Sequence, residues 1–475
     1  MEALEAVGET MINTLADFLC GYPLFILLIG GGFFLFFHSG MVSLRCLPAS
    51  LRVLREKQTR SSGEQISSLE ALASVVAATV GMGNIAGVAI ALVMGGPGAI
   101  FWMWVSALVG MSTKFHEGVL TTRYKTNTSD GRIAGGTMYM IDRGLGSRWH
   151  WLAVTFAVAG MFGTLCIMNA NQLTEALMTI FASPESLASN HVVSYMAETS
   201  SIAPDTLMRL LIGVAIALTV TLVTIGGIRR IASVASWLVP FMVVVYFMLV
   251  TYIIISNIGQ VPGVFRSIFA EAFNLRAGWG ALAGIAIIGA RRAALVNDAG
   301  VGTATIMHGA SSNNSPVREG LVAMLGPGID SGFVCTLTAL ALLLCGDFSS
   351  GADGSLRGLS IAVDAFGRAI PGGEYMLMAI VLCFALSSMF SYSFYGTRCA
   401  SYLFGERAGR CYLWFFIATL VVFAVIPLGM AVGFCDLFYA LMAFPTMITL
   451  LMLRKEVLEE IRLFRQKDSE KIVIS

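Results

Sequence analysis

Side chains able to do chemistry are sparse in this sequence, and those that stand out sit inside apolar runs. Asp330 lies near the middle of the run from Arg318 to Cys345, beside Gly328 and Gly332. A carboxyl group there is costly unless it works or is paired, so it binds a cation or proton, steadies a gate, or caps a broken backbone. Asn297-Asp298 ends another run near Arg291 and Arg292 and reads as a gate or, better, as a helix-end ion-pair cluster. Asn169, Asn171 and Gln172 crowd a third run, with Asn169 and Gln172 three apart and so on one helical face. Ser387, Ser388, Ser391 and Tyr392 mark a fourth. Their hydroxyls suit a hard cation such as sodium, although serine hydroxyls also commonly bond their own helix backbone.

Other motifs lead nowhere. Gly81-Met82-Gly83-Asn84-Ile85-Ala86 fits a dinucleotide-binding pattern in letters only, because it sits inside an apolar span rather than after a strand. His116-Glu117 lacks the second histidine of a zinc-protease motif. The nine cysteines form no CxxC and read as small buried hydrophobes. With no paired acids, nucleophile or metal set, neither an enzyme nor a cofactor is expected.

The elements that must position these groups follow from composition. Of 475 residues, 56% are hydrophobic and 12% charged, with mean hydropathy +0.78. That leaves too little polar surface for a water-facing globule of this size. The chain is expected to be an all-α polytopic membrane protein. About eleven stretches are long enough to span: 22–44, 69–93, 98–121, 151–180, 207–225, 232–256, 278–305, 318–345, 374–397, 411–429 and 432–453. They are too long, and lack the period of two, for a barrel. The acidic start (Glu2, Glu5, Glu9, Asp17) argues against a cleaved signal peptide.

Of the 30 Lys and Arg, 25 fall in alternate loops, including Lys114, Arg291 and Arg292, which puts the N-terminus outside and the C-terminus in the cytoplasm. The formal net charge is +1, with basic residues scattered between apolar runs, so nucleic acid is not a partner. The segment from Ser183 to Asp205 carries no Lys or Arg and belongs outside. Setting the first helix aside leaves ten, which divide five plus five. The opening helix of each half is interrupted by glycine, at Gly81, Gly83 and Gly87 in one and at Gly278, Gly280 and Gly284 in the other. An odd number of helices per half inverts its topology, and paired broken helices point to a binding site at mid-membrane; close helix packing through GxxxG is the plain alternative.

The stretches Gly81–Ala89, Gly95–Val105 and Thr113-Lys114-Phe115 closely resemble the alanine or glycine:cation symporter family, the sodium:alanine symporters of the amino acid-polyamine-cation superfamily. Gly135–Tyr139 with Gly144-Leu145-Gly146, Asn297–Gly302 and Tyr395–Cys399 carry the resemblance on, and it extends over about residues 66–453. It implies the LeuT-like fold, a five-plus-five inverted repeat (66–256 and 257–453), preceded by an extra helix and basic loop (1–65) and followed by a cytoplasmic tail (454–475). It further implies uptake of alanine, glycine or a similar small neutral amino acid across the bacterial inner membrane, coupled to sodium. A proton-coupled or differently selective transporter is the alternative, and surrounding lipid is the remaining partner.

Site residues follow from the same resemblance. Backbone N–H groups around Met82 and Gly83 would meet the substrate carboxylate, with Asn84 steadying the break. Carbonyls near Ala77 and Val80, with Ser387 and Ser388, would ligate sodium, and Ser388 would also touch substrate. Asn169 would hold the ammonium or carboxylate side, and Tyr392 would cap the pocket. Asp330, Asn297 and Asp298 are gate or coupling candidates. Met82 stands where the family often has threonine, Asn169 where it has glutamine, Tyr392 for tryptophan, Asp298 for glutamate and Thr397 for glutamate. A shorter Asn169 makes room for a larger substrate side chain, whereas Met82 takes room away.

Overall fold

The computed structural model describes residues 19, 21–55, 65–127, 133–181, 203–273, 279–346, 358–426 and 428–474. The acidic N-terminal residues, Gly278 and most of the segment from Ser183 to Asp205 lie outside them. Among the described residues, six helices are long and apolar enough to cross a membrane, or seven if one bent pair counts as a single span.

The first helix, α1 (Tyr22–His38), is shorter than expected because Gly40 and Met41 turn the chain left-handed. The bent pair comes next. Ser67 opens α2 (Ser68–Thr79) with a capping box to Glu70, and the helix stops where Val80 turns extended. It resumes as α3 (Gly83–Gly95) at 56° to α2. Gly96, at φ +64°, and Pro97 then start α4 (Gly98–Arg123), which is buried over most of its length. α5 (His150–Gly163) and α6 (Ile167–Phe181) form one long span with a kink at Cys166, whose φ is +54°. α7 (Pro204–Thr224) and α8 (Gly227–Ser256) stand at the periphery. Only 28% of each is buried, and α8 turns Trp237, Phe241, Val244 and Phe247 outward, as a lipid-facing helix would.

After the short α9 (Val261–Ala272), α10 (Trp279–Asn297) runs uninterrupted. Gly280 and Gly284 therefore do not break it, contrary to the sequence expectation; a lone glycine costs a helix only about 1 kcal/mol. The interruption lies instead at Asp298–Gly302, before α11 (Thr303–Gly309), because Asp298, Gly300 and Gly302 all take positive φ. α12 (Pro316–Cys345) contains a π-helical stretch at Gly328–Val334, and α13 (Gly358–Ala369) follows. α14 (Gly373–Phe404), buried over its middle from Phe384 to Gly396, is the central post. α15 (Glu406–Phe423), α16 (Leu428–Met452) and the polar α17 (Arg454–Ile474) complete the chain. Arg123 at the end of α4 ties α17 in through Glu456, Glu459 and Glu460 at 3.2, 3.1 and 2.9 Å.

Lys114 lies inside α4, and Arg291 and Arg292 lie inside α10, rather than in loops. They leave the loop count from which the orientation was read, as do Arg229 and Arg230 inside α8, Arg318 inside α12 and Arg398 inside α14.

One end of the bundle is closed by a buried polar knot. Glu319 accepts hydrogen bonds from Ser68 (2.5 Å) and Ser311 (3.0 Å) and pairs with His308 at 2.6 Å. Ile66 and Ser312 add a backbone bond of 2.7 Å, so α2, α11 and α12 are locked together there. Nearby, the Gly309 and Gly135 backbones approach so closely that a Cβ on Gly309 would fall 2.4 Å from the Gly135 Cα. Gly309→Ala should cost about 1–3 kcal/mol of stability by overpacking. Gly263→Ala, with nothing within 4 Å of the added carbon, should cost nothing. Thermal unfolding of the two purified variants in detergent checks the contrast.

Candidate functional site

A helix interrupted in an apolar interior exposes backbone groups that must be paired. At the first interruption Asn84 does much of this. Its Oδ1 accepts from the Gly81 N–H at 2.9 Å, and its Nδ2 donates to the Asp330 carboxylate and to Cys335 Sγ. Asn84 is fully buried behind the break and is not among the residues that line the cavity described below; its amide is taken up by Gly81, Asp330 and Cys335. Asp330, also fully buried, reaches the break through Asn84, and no ion pair reaches it among the described residues. The N–H groups of Met82 and Gly83 open α3 and have no carbonyl one turn back to bond.

Three serines of α14 bind the carbonyls at the end of α2. Ser391 Oγ donates to Ser74 O at 2.9 Å and Ser387 Oγ to Ala77 O at 3.0 Å. Ser388 Oγ lies 2.9 Å from Ala78 O and 3.3 Å from Ala77 O. Both Ser387 and Ser388 also reach Phe384 O in their own helix, at 2.9 and 3.1 Å. The result is a compact group of hydroxyl and carbonyl oxygens, the donor set that a hard monovalent cation prefers. Ala77 belongs to it, with Ala78 beside it. Val80 is buried at the helix end and no bond joins it to α14.

The second interruption is built differently. Asn297 Oδ1 accepts from the Ala299 N–H at 3.0 Å, and its Nδ2 donates to Ser331 Oγ of the π-helical stretch at 3.1 Å. Asp298 Oδ2 accepts from Tyr392 (2.6 Å) and Thr303 (3.1 Å). Glu117, itself 3.4 Å from Lys114, accepts from the Gly300 N–H at 2.8 Å. Asn297-Asp298 is therefore no helix-end ion-pair cluster with Arg291 and Arg292. It sits in unwound backbone whose polar groups need buried partners, while Arg291 pairs instead with Asp436 at 3.4 Å.

Against the first interruption lies a cavity of about 130 Å³. Met82, Gly83, Asn169, Ser388 and Tyr392, all expected at the site, line it. Ser387, Ala77, Val80, Asn297, Asp298 and Asp330 lie behind its walls. Among the lining residues that sequence reasoning did not place at the site are Gln172, Arg292, Asp436 and Tyr439. Gln172 was signalled by sharing a face with Asn169. Arg292 was masked by its reading as a loop cation, and nothing local marks Asp436 or Tyr439. The Tyr439 hydroxyl donates to that of Tyr392, extending the chain that ends on Asp298.

Comparison with known proteins agrees with this geometry. The crystal structure of MhsT in complex with L-phenylalanine superposes with a TM-score of 0.53 at 15% identity, covering 85% of this chain and 99% of that one, so the two share a fold. The sodium/alanine symporter AgcS of Methanococcus maripaludis is 35% identical over 96% of this chain and 97% of its own length. A transporter of Haemophilus influenzae without an assigned substrate is 34% identical over 97% of this chain and 96% of its own. Residues 4–473 match the sodium:alanine symporter family. The chain thus has the transporter fold, the paired helix breaks and the end-to-end sequence match together, and it belongs to the sodium:alanine symporter family.

Proposed function

We propose that this multi-pass membrane protein takes up a small neutral amino acid together with sodium by alternating access. The observation that carries the reading is the juxtaposition of two features on one break: unbonded N–H groups at Met82 and Gly83 facing a cavity, and the oxygen cluster of Ala77, Ala78, Ser387 and Ser388 just behind it. The relative AgcS, named a sodium/alanine symporter, supports both cargo and coupling ion. The carboxylate of the substrate meets the start of α3, where the helix dipole favours an anion. Asn169 and Tyr392 close over it. Sodium replaces the serine protons as the partner of the α2 carbonyls. No covalent step is needed.

In this reading the chain makes eleven crossings. Residues 66–256 and 257–453 form inverted halves, each opening on its broken helix, after an extra N-terminal helix and before a cytoplasmic tail. The N-terminus lies outside a bacterial inner membrane, its apolar periphery against lipid. The Glu319 knot then closes the cytoplasmic side, and the cavity belongs to the outer half.

The test is uptake of labelled alanine into proteoliposomes under an inward sodium gradient, a matched potassium control and an imposed pH gradient. Accumulation should follow sodium alone; accumulation driven only by protons would shift coupling to Asp330. Ser388→Ala should raise the half-saturating sodium concentration about tenfold, the loss of one charge-assisted contact. Gly81→Ala should act similarly, because the added carbon would lie 2.9 Å from Ser388 Oγ. Sodium titrations of binding check both, and unchanged values would remove the cation site from this position. Gly83→Leu should abolish amino-acid binding while leaving a monodisperse protein: its Cβ fits at 3.4 Å from Val296, but the rest of the side chain fills the cavity.

A further inference from the structure

A second cavity, of about 340 Å³, opens where the turn between α7 and α8 meets the last turns of α14 and the start of α15. It shares no lining residue with the cavity at the break. Lying at helix ends, it stands at the level of a membrane surface rather than of the bilayer middle. Arg229, Arg398 and Arg410 line it, and Glu406 is the one acid among the lining residues. Glu406 is already engaged, by Arg398 at 3.2 Å and by Ser401 at 3.3 Å. Arg229 and Arg410 make no hydrogen bond or ion pair among the described residues.

The other polar groups of the wall leave those two cations unanswered. The hydroxyls of Thr224, Ser393 and Thr397 each donate to a carbonyl of their own helix, at 2.8, 2.7 and 2.7 Å. The backbone adds further donors. α8 starts at Gly227 without a side-chain cap, so the N–H groups of Ile228 and Arg229 have no carbonyl one turn back to bond. Gly227 takes φ +68°, and a Cβ there would touch nothing within 4 Å, so the turn lies open. Positive charge, guanidinium forks and a helix start together suit an anion with several oxygens, of which a phosphate is the best match. The flanks are apolar and face outward: Leu222 and Ile225 at the end of α7, and Trp414 and Phe415 on α15, one turn past Arg410. A phosphate that carries acyl chains would use both the wall and these flanks, whereas a soluble phosphate would leave the flanks idle.

We infer that this cavity binds the phosphodiester headgroup of an anionic phospholipid, held by Arg229, Arg410 and the start of α8. The inference requires only that the chain spans a membrane, and it stands or falls apart from the amino acid and the ion that are carried. In the orientation proposed above the cavity opens on the cytoplasmic leaflet, whose anionic lipids attract basic residues. A zwitterionic headgroup would bring an ammonium that the arginines repel and that Glu406, already paired, does not answer. Basic residues at helix ends are ordinary in membrane proteins. What sets these apart is the cavity they share. Arg407 marks the difference, since it stands exposed on the same helix as Arg410 and does not line the cavity.

The experiment is native mass spectrometry of the full-length protein, released from detergent micelles that hold equimolar dioleoylphosphatidylglycerol and dioleoylphosphatidylcholine, which differ only in the headgroup. One phosphatidylglycerol should stay bound, preferred at least about tenfold. Arg229→Gln and Arg410→Gln should each cut that preference about fivefold, the effect of one basic residue at a lipid surface. Arg407→Gln should leave it unchanged. Equal retention of the two lipids by the unmodified protein overturns the site, and that comparison needs no variant. An equal loss in all three variants overturns it too, because surface charge alone would then explain the preference. So does an undiminished preference in both lining variants. Glycerol phosphate at the concentration of the lipid should not displace it; displacement would give the cavity to a soluble phosphate ester and overturn the lipid assignment.

Discussion

Backbone polar groups that leave a helix inside a membrane must find partners in the protein, and this constraint organises the structure. Each unpaired group in an apolar interior costs a few kcal/mol, so two interruptions in facing helices are tolerated only where neighbouring side chains take over the lost bonds. Here α12 and α14 take over. Asp330 and Ser331, adjacent in the π-helical stretch of α12, reach the first interruption through Asn84 and the second through Asn297. α14 does the same on its own face, with Ser387, Ser388 and Ser391 on the end of α2 and Tyr392 on Asp298.

The same constraint explains the most costly feature of the interior. Lys114 and Glu117 are both 1% exposed within α4. A buried ion pair is weak evidence of stability, because desolvation offsets much of the attraction. Glu117, however, also accepts from Gly300, at a position where positive φ turns the N–H away from any helical partner. The carboxylate is thus committed to the second interruption, with the Lys114 ammonium 3.4 Å away. The pair belongs to the break rather than to a loop.

The sequence revealed the membrane class, the runs that become helices, the first interruption and part of the cavity wall (Met82, Gly83, Asn169, Ser388 and Tyr392), because hydropathy, glycine clusters and polar residues in apolar runs are local signals. The second interruption was misplaced. Gly280 and Gly284 carry the letters of a break but keep a helical backbone, while the real break begins at Asp298, whose carboxylate accepts from Tyr392 and Thr303, and goes on to Gly300, whose N–H is taken by Glu117; the bonds from Tyr392 and Glu117 are ones no local pattern announces. Asn84 was legible as a steadying residue, but its partner Asp330, far away in sequence, was not. Arg292 was hidden for the opposite reason: charge suggests a loop, and only the fold shows that it lines the cavity.

Ser388 stands where the proposed roles meet. It lines the cavity, and its hydroxyl bonds the carbonyls of Ala77 and Ala78 at the end of α2. Gly81, one step beyond, is held by Asn84 and packs so close to Ser388 that no Cβ fits between them. A cation drawn to those oxygens would fix α14 against α2, and would thereby fix the turn that aims the Met82 and Gly83 N–H groups. An amino-acid carboxylate on those N–H groups would stabilise the same turn from the other side. Coupling of this kind is reciprocal by thermodynamic necessity: whatever factor sodium contributes to amino-acid affinity, the amino acid returns to sodium. The short path between the two sites, through one residue and the glycine it touches, is why the interruption has to be rigid on its buried side and open on its cavity side.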